Sequence, residues 1–174
     1  ILTSDLKTLP IETVIARGQI VAQAGECVVD CPHYDWPEKA RQTVHMGKTL
    51  KAADFQIDAP KGANAVTANV IGVVENQAPT RALKFELPVT DGRVQATGEV
   101  CQIALVERHR ATGTVVNAFV SGFGYEGPMA MASTVAHDSH HMIVVGTDAD
   151  HMAMAANRLG EVGGGITIFK DGKE

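Results

Sequence analysis

A chain of 174 residues with 45% hydrophobic content can bury one ordinary domain, or one domain plus a piece of another, and with only 5% aromatic residues its core must be Val, Ile, Ala, Leu and Met. The formal charge of −5 argues against a nucleic-acid partner, which needs clustered Lys and Arg. No apolar run approaches the ~20 residues of a membrane helix, and no signal-peptide pattern is visible.

Residues 11 to 29 predict a β-hairpin. Ile11 to Ala16 is strand-prone, Arg17-Gly18 turns, Gln19 to Ala22 returns, and Ala24-Gly25 is a second turn. The run V-I-A-R-G-Q-I-V-A-Q-A-G resembles the small β-sandwich that accompanies the barrel of amidohydrolases, although any hairpin could carry it. Cys27, Cys31 and Cys101 are an odd number, which favours a reducing, cytoplasmic setting over a secreted disulfide framework. The C-x-x-x-C pair faces no second pair, so buried thiols are expected rather than a zinc site.

From Pro32 the character changes. His33, Tyr34, Trp36 and Pro37 form an irregular stretch with Trp36 as its expected packing anchor, and Pro37 suits the first position of a helix over Glu38 to Val44. Leu50 to Phe55 reads as a second short helix or turn. Ala63 to Val74, Arg81 to Leu87 and Val100 to Val106 are β-rich, with the Asp91-Gly92 hairpin signal among them. Glu107-Arg108-His109-Arg110 forms a charged tip whose Arg110 suits a solvated strand end. Thr114 to Val120 fits strand or helix.

Met142 to Val145, closed by Gly146, reads as a buried strand. Thr147-Asp148-Ala149-Asp150 offers an N-cap and an acidic first turn, Met152, Ala156 and Leu159 recur at helical spacing, and Gly163 to Gly165 end the helix. Ile166 to Phe169 is the next buried strand, giving a β-α-β unit with parallel strands. The expected fold is α+β: a mixed-sheet domain over 32–174 with this C-terminal unit, preceded by the hairpin of 1–31. The closing Asp171-Gly172 turn, with no further strand, suggests a piece of a longer protein.

The densest titratable group lies in His137-Asp138-Ser139-His140-His141, between the Gly122–Gly127 turn, which carries Glu126, and the Met142 strand. Imidazole titrates near neutrality and a neighbouring carboxylate fixes its tautomer, so His137, Asp138 and His140 have the chemistry for metal binding or acid–base work. His137 and His141 mimic H-E-x-x-H only poorly. On a strand they would lie about 13 Å apart, too far for one metal. A loop whose Asp and Ser satisfy their own backbone is the alternative, equally compatible with these residue types.

The run A-S-T-V-A-H-D-S-H-H-M-I-V-V-G (132–146), with V-S-G-F-G before it, Glu107-Arg108-His109 with Thr112-Gly113, and N-R-L-G-E-V-G-G-G-I-T-I-F-K-D-G-K at the end closely resemble the C-terminal domain of bacterial adenine deaminases. The resemblance runs from about Ala53 onward. It implies a hydrolase converting adenine to hypoxanthine and ammonia, whose barrel holds a divalent metal centre (manganese, iron or zinc). It also implies a homo-oligomer in which His137, Asp138 and His140 act beside the metal centre or at the pocket rim, with Glu126 and Ser139 as candidates for touching substrate. Two features depart from the family: no H-x-H pair is present, and a barrel of ~250 residues cannot fit. The metal ligands are therefore expected elsewhere, the isolated chain is expected to be inactive, and a structural role or, less readily, an independent metallohydrolase are the alternatives.

Overall fold

The computed structural model covers Ile1–Glu174 and divides into two units, Ile1–Pro37 and Glu38–Glu174. In the first, β1 (Thr13–Ala16), β2 (Gln19–Gln23) and β3 (Glu26–Cys27) form an antiparallel meander. Its first turn puts Arg17 and Gly18 at φ 51° and 80°, the mirror-image geometry that follows strand twist. None of its 37 residues is buried: Ile1, Leu6, Ile11, Ile15, Ile20, Val28 and Val29 all stand exposed. Trp36, the expected anchor, is 61% exposed and meets the Tyr34 ring edge-on, because nothing in this unit is deep enough to receive an indole. Cys27 and Cys31 are likewise exposed rather than buried; only Cys101 is a core thiol.

The second unit is built on an eight-stranded mixed sheet. Its strands are β4 (Ala65–Gly72), β5 (Arg81–Thr90), β6 (Arg93–Val94), β7 (Val100–Val106), β8 (Val115–Ser121), β9 (Met129–Ser133), β10 (Met142–Gly146) and β11 (Ile166–Lys170). They lie in the order β11-β9-β10-β7-β8-β4-β5-β6. All neighbours are antiparallel except β4 and β8. The ambiguous run after Thr114 is strand β8, as its β-branched Val115, Val116 and Val120 favour.

Helix α2 (Ala149–Val162) starts at Asp148, whose side chain accepts from His151 N, and stops at Gly163 with φ 83°. It connects β10 to β11, and both strands run antiparallel to β9. The two strands are therefore parallel in direction, as expected, but β9 is inserted between them. The Met129–Ser133 stretch, low in β-propensity, earns its place by smallness. Ala130 and Ala132 lie under the helix, and a Cβ on neighbouring Gly146 would meet Met152 Cγ at 2.6 Å. Met152, Ala155, Ala156 and Leu159 bury against Ala104, Val106, Met142 and Val144. Met152 and Leu159 each contribute about 1.5–3 kcal/mol through burial.

Segment 38–55 is tied to this layer. Helix α1 is one turn, Glu38–Arg41, shorter than expected because the chain is drawn off toward β7, where His45 N donates to Arg108 O at 2.8 Å. The turn Ala52–Phe55 sinks Phe55 into the core. The Asn157 side-chain amide copies a strand partner: Oδ1 accepts from Leu50 N and Nδ2 donates to Leu50 O, both at 2.9 Å.

The opposite face of the sheet carries no helix. Register places Ile166, Ser133, Ile143, Leu105 and Val116 in one row across five strands, and Ile168, Met131, Val145, Ile103 and Ala118 in the next. Phe123 and Tyr125 pack over Cys101, Val120 and Val145. The outer positions stay open, with Ile166 at 62%, Val116 at 60% and Ile168 at 50% exposure.

Candidate functional site

The end of the sheet where β7 stops and β10 begins brings two loops together. One, Glu107–Thr114, joins β7 to β8; the other, Thr134–His141, joins β9 to β10. Val106 pairs with Met142, so Glu107 and His141 leave adjacent strands side by side.

The first loop is wound on one carboxylate. Glu107 Oε1 accepts from the N–H groups of His109 and Arg110 at 2.5 and 2.8 Å, and Oε2 from Thr112 N and Oγ1, each at 3.0 Å. Four donors favour the charged form, so the backbone N–H of Thr112, aided by the others, holds Glu107 down at about 2. Arg108 points the other way and is buried. Its Nε donates to His140 O and its Nη1 to Thr43 O, both at 2.7 Å, so one guanidinium joins three separate segments.

The second loop is pinned at both ends and free in the middle. Thr134 N donates to Gly165 O at 2.9 Å, and Thr134 Oγ1 accepts from Gly165 N at 2.8 Å. At the far end, His140 adopts φ 54°, and its N–H donates to Ala136 O at 2.8 Å. The left-handed residue turns the His140 carbonyl toward Arg108. The intervening His137 and Asp138 pair at 2.9 Å through Nδ1 and Oδ1 while remaining 92% and 93% exposed. Ser139 Oγ accepts from His141 N at 3.3 Å. The backbone-satisfying behaviour expected of a loop is thus present at Ser139, and Asp138 turns to His137 instead.

The two loops meet through histidines. The His109 and His141 rings lie 4.8 Å apart at 52°, and His109 Nε2 is 3.4 Å from Ser139 O. The Nδ1 of His141 is buried without a partner in the chain. Of the residues singled out from sequence, His137, Asp138, Ser139 and His140 therefore share one loop, but Glu126 does not join them. Glu126 lies in the turn between β8 and β9, beyond the opposite end of seven-residue β7, about 20 Å away at ~3.4 Å per residue. A cavity of about 320 Å³ lies at that other end, bordered by Tyr125, Gly127, Thr147 and Asp148. There Asp148 Oδ1 holds His151 Nδ1 at 2.9 Å, and His151 Nε2 accepts from Gly172 N, tying helix α2 to the last turn.

Arg108, Glu107 and His141 are the members that sequence reasoning passed over or left without a role. The signal was available for Glu107: a carboxylate followed by a short polar turn is a ready acceptor for that turn's N–H groups. Arg108 carried none, since its partners lie 65 and 32 residues away.

The family model described as adenine deaminase C-terminal domain matches residues 77–174, which include both loops. The chain belongs to the adenine deaminase C-terminal domain family. Over its whole length it is 84% identical to the adenine deaminase of Roseobacter denitrificans and 79% identical to that of a Ruegeria species, covering 29% of each. With the adenine deaminase of Moorella thermoacetica it shares 39% identity over 97% of its own length and 28% of the relative's. The chain thus spans about three-tenths of the length of these curated relatives. No helix in it is long and apolar enough to cross a membrane.

Proposed function

We propose that this chain is the C-terminal part of a hydrolase that converts adenine and water to hypoxanthine and ammonia, and that the loop His137–His140 borders the pocket receiving the purine. The observation that carries the reading is the loop's construction. Its ends are fixed by Arg108 and Gly165, and it holds out an imidazole–carboxylate pair with no use for it inside the chain. The names of relatives that match along the whole chain agree with this reading.

The divalent metal that such a reaction implies does not fit the residues present. The His109 and His141 rings lie 4.8 Å apart tilted at 52°, and the solvent-facing His137 and Asp138 bind one another. No three His, Cys, Asp or Glu side chains converge as a metal would require. Manganese, iron or zinc, with the barrel that would hold it, is assigned to sequence outside this chain, and the 174 residues alone are expected not to deaminate adenine.

The role left to this chain is hydrogen bonding. Asp138 accepts the Nδ1 proton of His137, which fixes the ring tautomer and leaves Nε2 as an acceptor for a substrate N–H or a bound water. His140 keeps the loop's bend, and Ser139 offers a hydroxyl at the same rim. We assign residues 1–31 to the β-sandwich accompanying the barrel, and 32–174 to the family's C-terminal domain. The absence of any buried residue in Ile1–Pro37 supports the first assignment, because a three-stranded meander needs a second layer. A cytoplasmic homo-oligomer acting on free adenine completes the reading.

The decisive experiment uses the full-length protein with His137→Ala or Asp138→Ala. Turnover should fall about 10–100-fold with Tm unchanged. Turnover within about twofold of the parent, less than the tenfold that ~1.4 kcal/mol of barrier represents, would leave the module a structural role alone.

A further inference from the structure

On the helix-free face of the sheet Phe123 and Tyr125 cover the ground around Val145 and Ile103, and the outer positions of both rows are left without an internal use. The two rows comprise ten positions across five strands, and Ser133 is the one polar side chain among them. At ~4.8 Å between strands the rows span about 19 Å. A chain with formal charge −5 has kept both rows free of charge while placing Ile166, Ile168, Leu105 and Val116 in the open. Contiguous apolar surface of this kind marks an interface, and an interface centre is where charge is depleted.

The position of the rows identifies what covers them. Ile143 and Leu105 of the outer row lie two residues from His141 and Glu107, at which the strands pass into the two loops. The apolar face and the His137–His140 loop are therefore continuous, and one body laid on the face would also meet the loop. About seven-tenths of each relative's length lies outside the matched part. A partner in the same polypeptide is held at high effective concentration, so a patch of modest area suffices to keep it docked.

We propose that this face is the seat of the upstream, catalytic region of the same enzyme, docked through the Ile166–Val116 and Ile168–Ala118 rows so that the histidine loop is carried to the purine pocket. This inference rests on the functional reading above and specifies its partner. The occupant presents an apolar, uncharged protein surface to the two rows. The loop end of the rows forms the boundary with the active site.

The test uses the full-length protein with single cysteines at Val116→Cys and Ile168→Cys, and Lys61→Cys on an exposed turn as reference. Labelling by a charged thiol reagent is followed peptide by peptide. Both test positions should react about 100-fold more slowly than the reference, as expected for surface reached only by local opening. A photo-cross-linker placed on Val116→Cys or Ile168→Cys should capture peptides from the upstream region. Labelling as fast as at Lys61→Cys, or capture of this domain's own β-strands from a second copy, would overturn the proposal. The loop variants are read separately. Protected cysteines with normal His137→Ala turnover would keep the docking and remove the rim role, whereas fast labelling with slow His137→Ala turnover would do the reverse.

Discussion

The loops Glu107–Thr114 and Thr134–His141 leave neighbouring strands at the same end of one sheet, yet they are built on opposite plans. The first spends its charged groups inward: Glu107 on its own backbone, and Arg108 on carbonyls of two other segments. The second spends backbone bonds at its ends and leaves His137 and Asp138 outward. A loop that satisfies itself is a mount; a loop that leaves its titratable groups unspent is what the mount carries. The contrast can be broken or sharpened by removing each group in turn.

Arg108→Ala should have the largest effect. It removes the charged donor shared by the His140 and Thr43 carbonyls, which belong to exposed residues that water can partly re-solvate, so the loss should be about 1–3 kcal/mol, read by urea denaturation. Amide exchange in 134–141 should accelerate in the same variant. An unchanged midpoint would show that Arg108 is not the mount.

Acid comes next. Glu107 has its folded-state value depressed to about 2 from an ordinary value of 4.5, so its contribution is fully present above about 4.5 and fades as pH falls toward 2. Denaturation midpoints should drop over that window, and Glu107→Gln should flatten the drop. A Gln variant with the parent's acid profile would place the sensitivity elsewhere.

His141→Ala removes the ring that meets His109 at a tilt and should cost about 1 kcal/mol, as one aromatic contact does. His137→Ala and Asp138→Ala should cost least, within about 0.5 kcal/mol, because both side chains are solvent-facing. A larger loss at either position would mean the outward loop is structural after all, and thermal melts decide it.

The local pieces of this architecture were legible because local chemistry makes them. Asp148 and Gly163 bound helix α2 as an N-cap and a left-handed stop should, and β-rich runs gave β4, β5 and β7, while the run that forms β8 fitted strand or helix alike. The insertion of β9 between β10 and β11 was not legible. Met129–Ser133 lacks strand propensity, and its place depends on how closely α2 can approach Ala130 and Ala132. The histidine loop stood out through composition alone, but its mount did not. Arg108 reads as a solvated strand end until the chain brings Thr43 and His140 to it. Glu126 seemed near the histidines because sequence distance ignores that a strand separates its two ends.

The amide pair between Asn157 and Leu50 sets an order in time. The two residues are 107 apart, so at a ribosomal rate of ~5–20 residues per second Leu50 emerges roughly 5–20 s before its partner exists. Throughout that interval Phe55, and later β7 and β8 once they are made, have no helix α2 to close over them. The nascent domain waits as an open sheet, and its last-made helix locks the first-made segment into place.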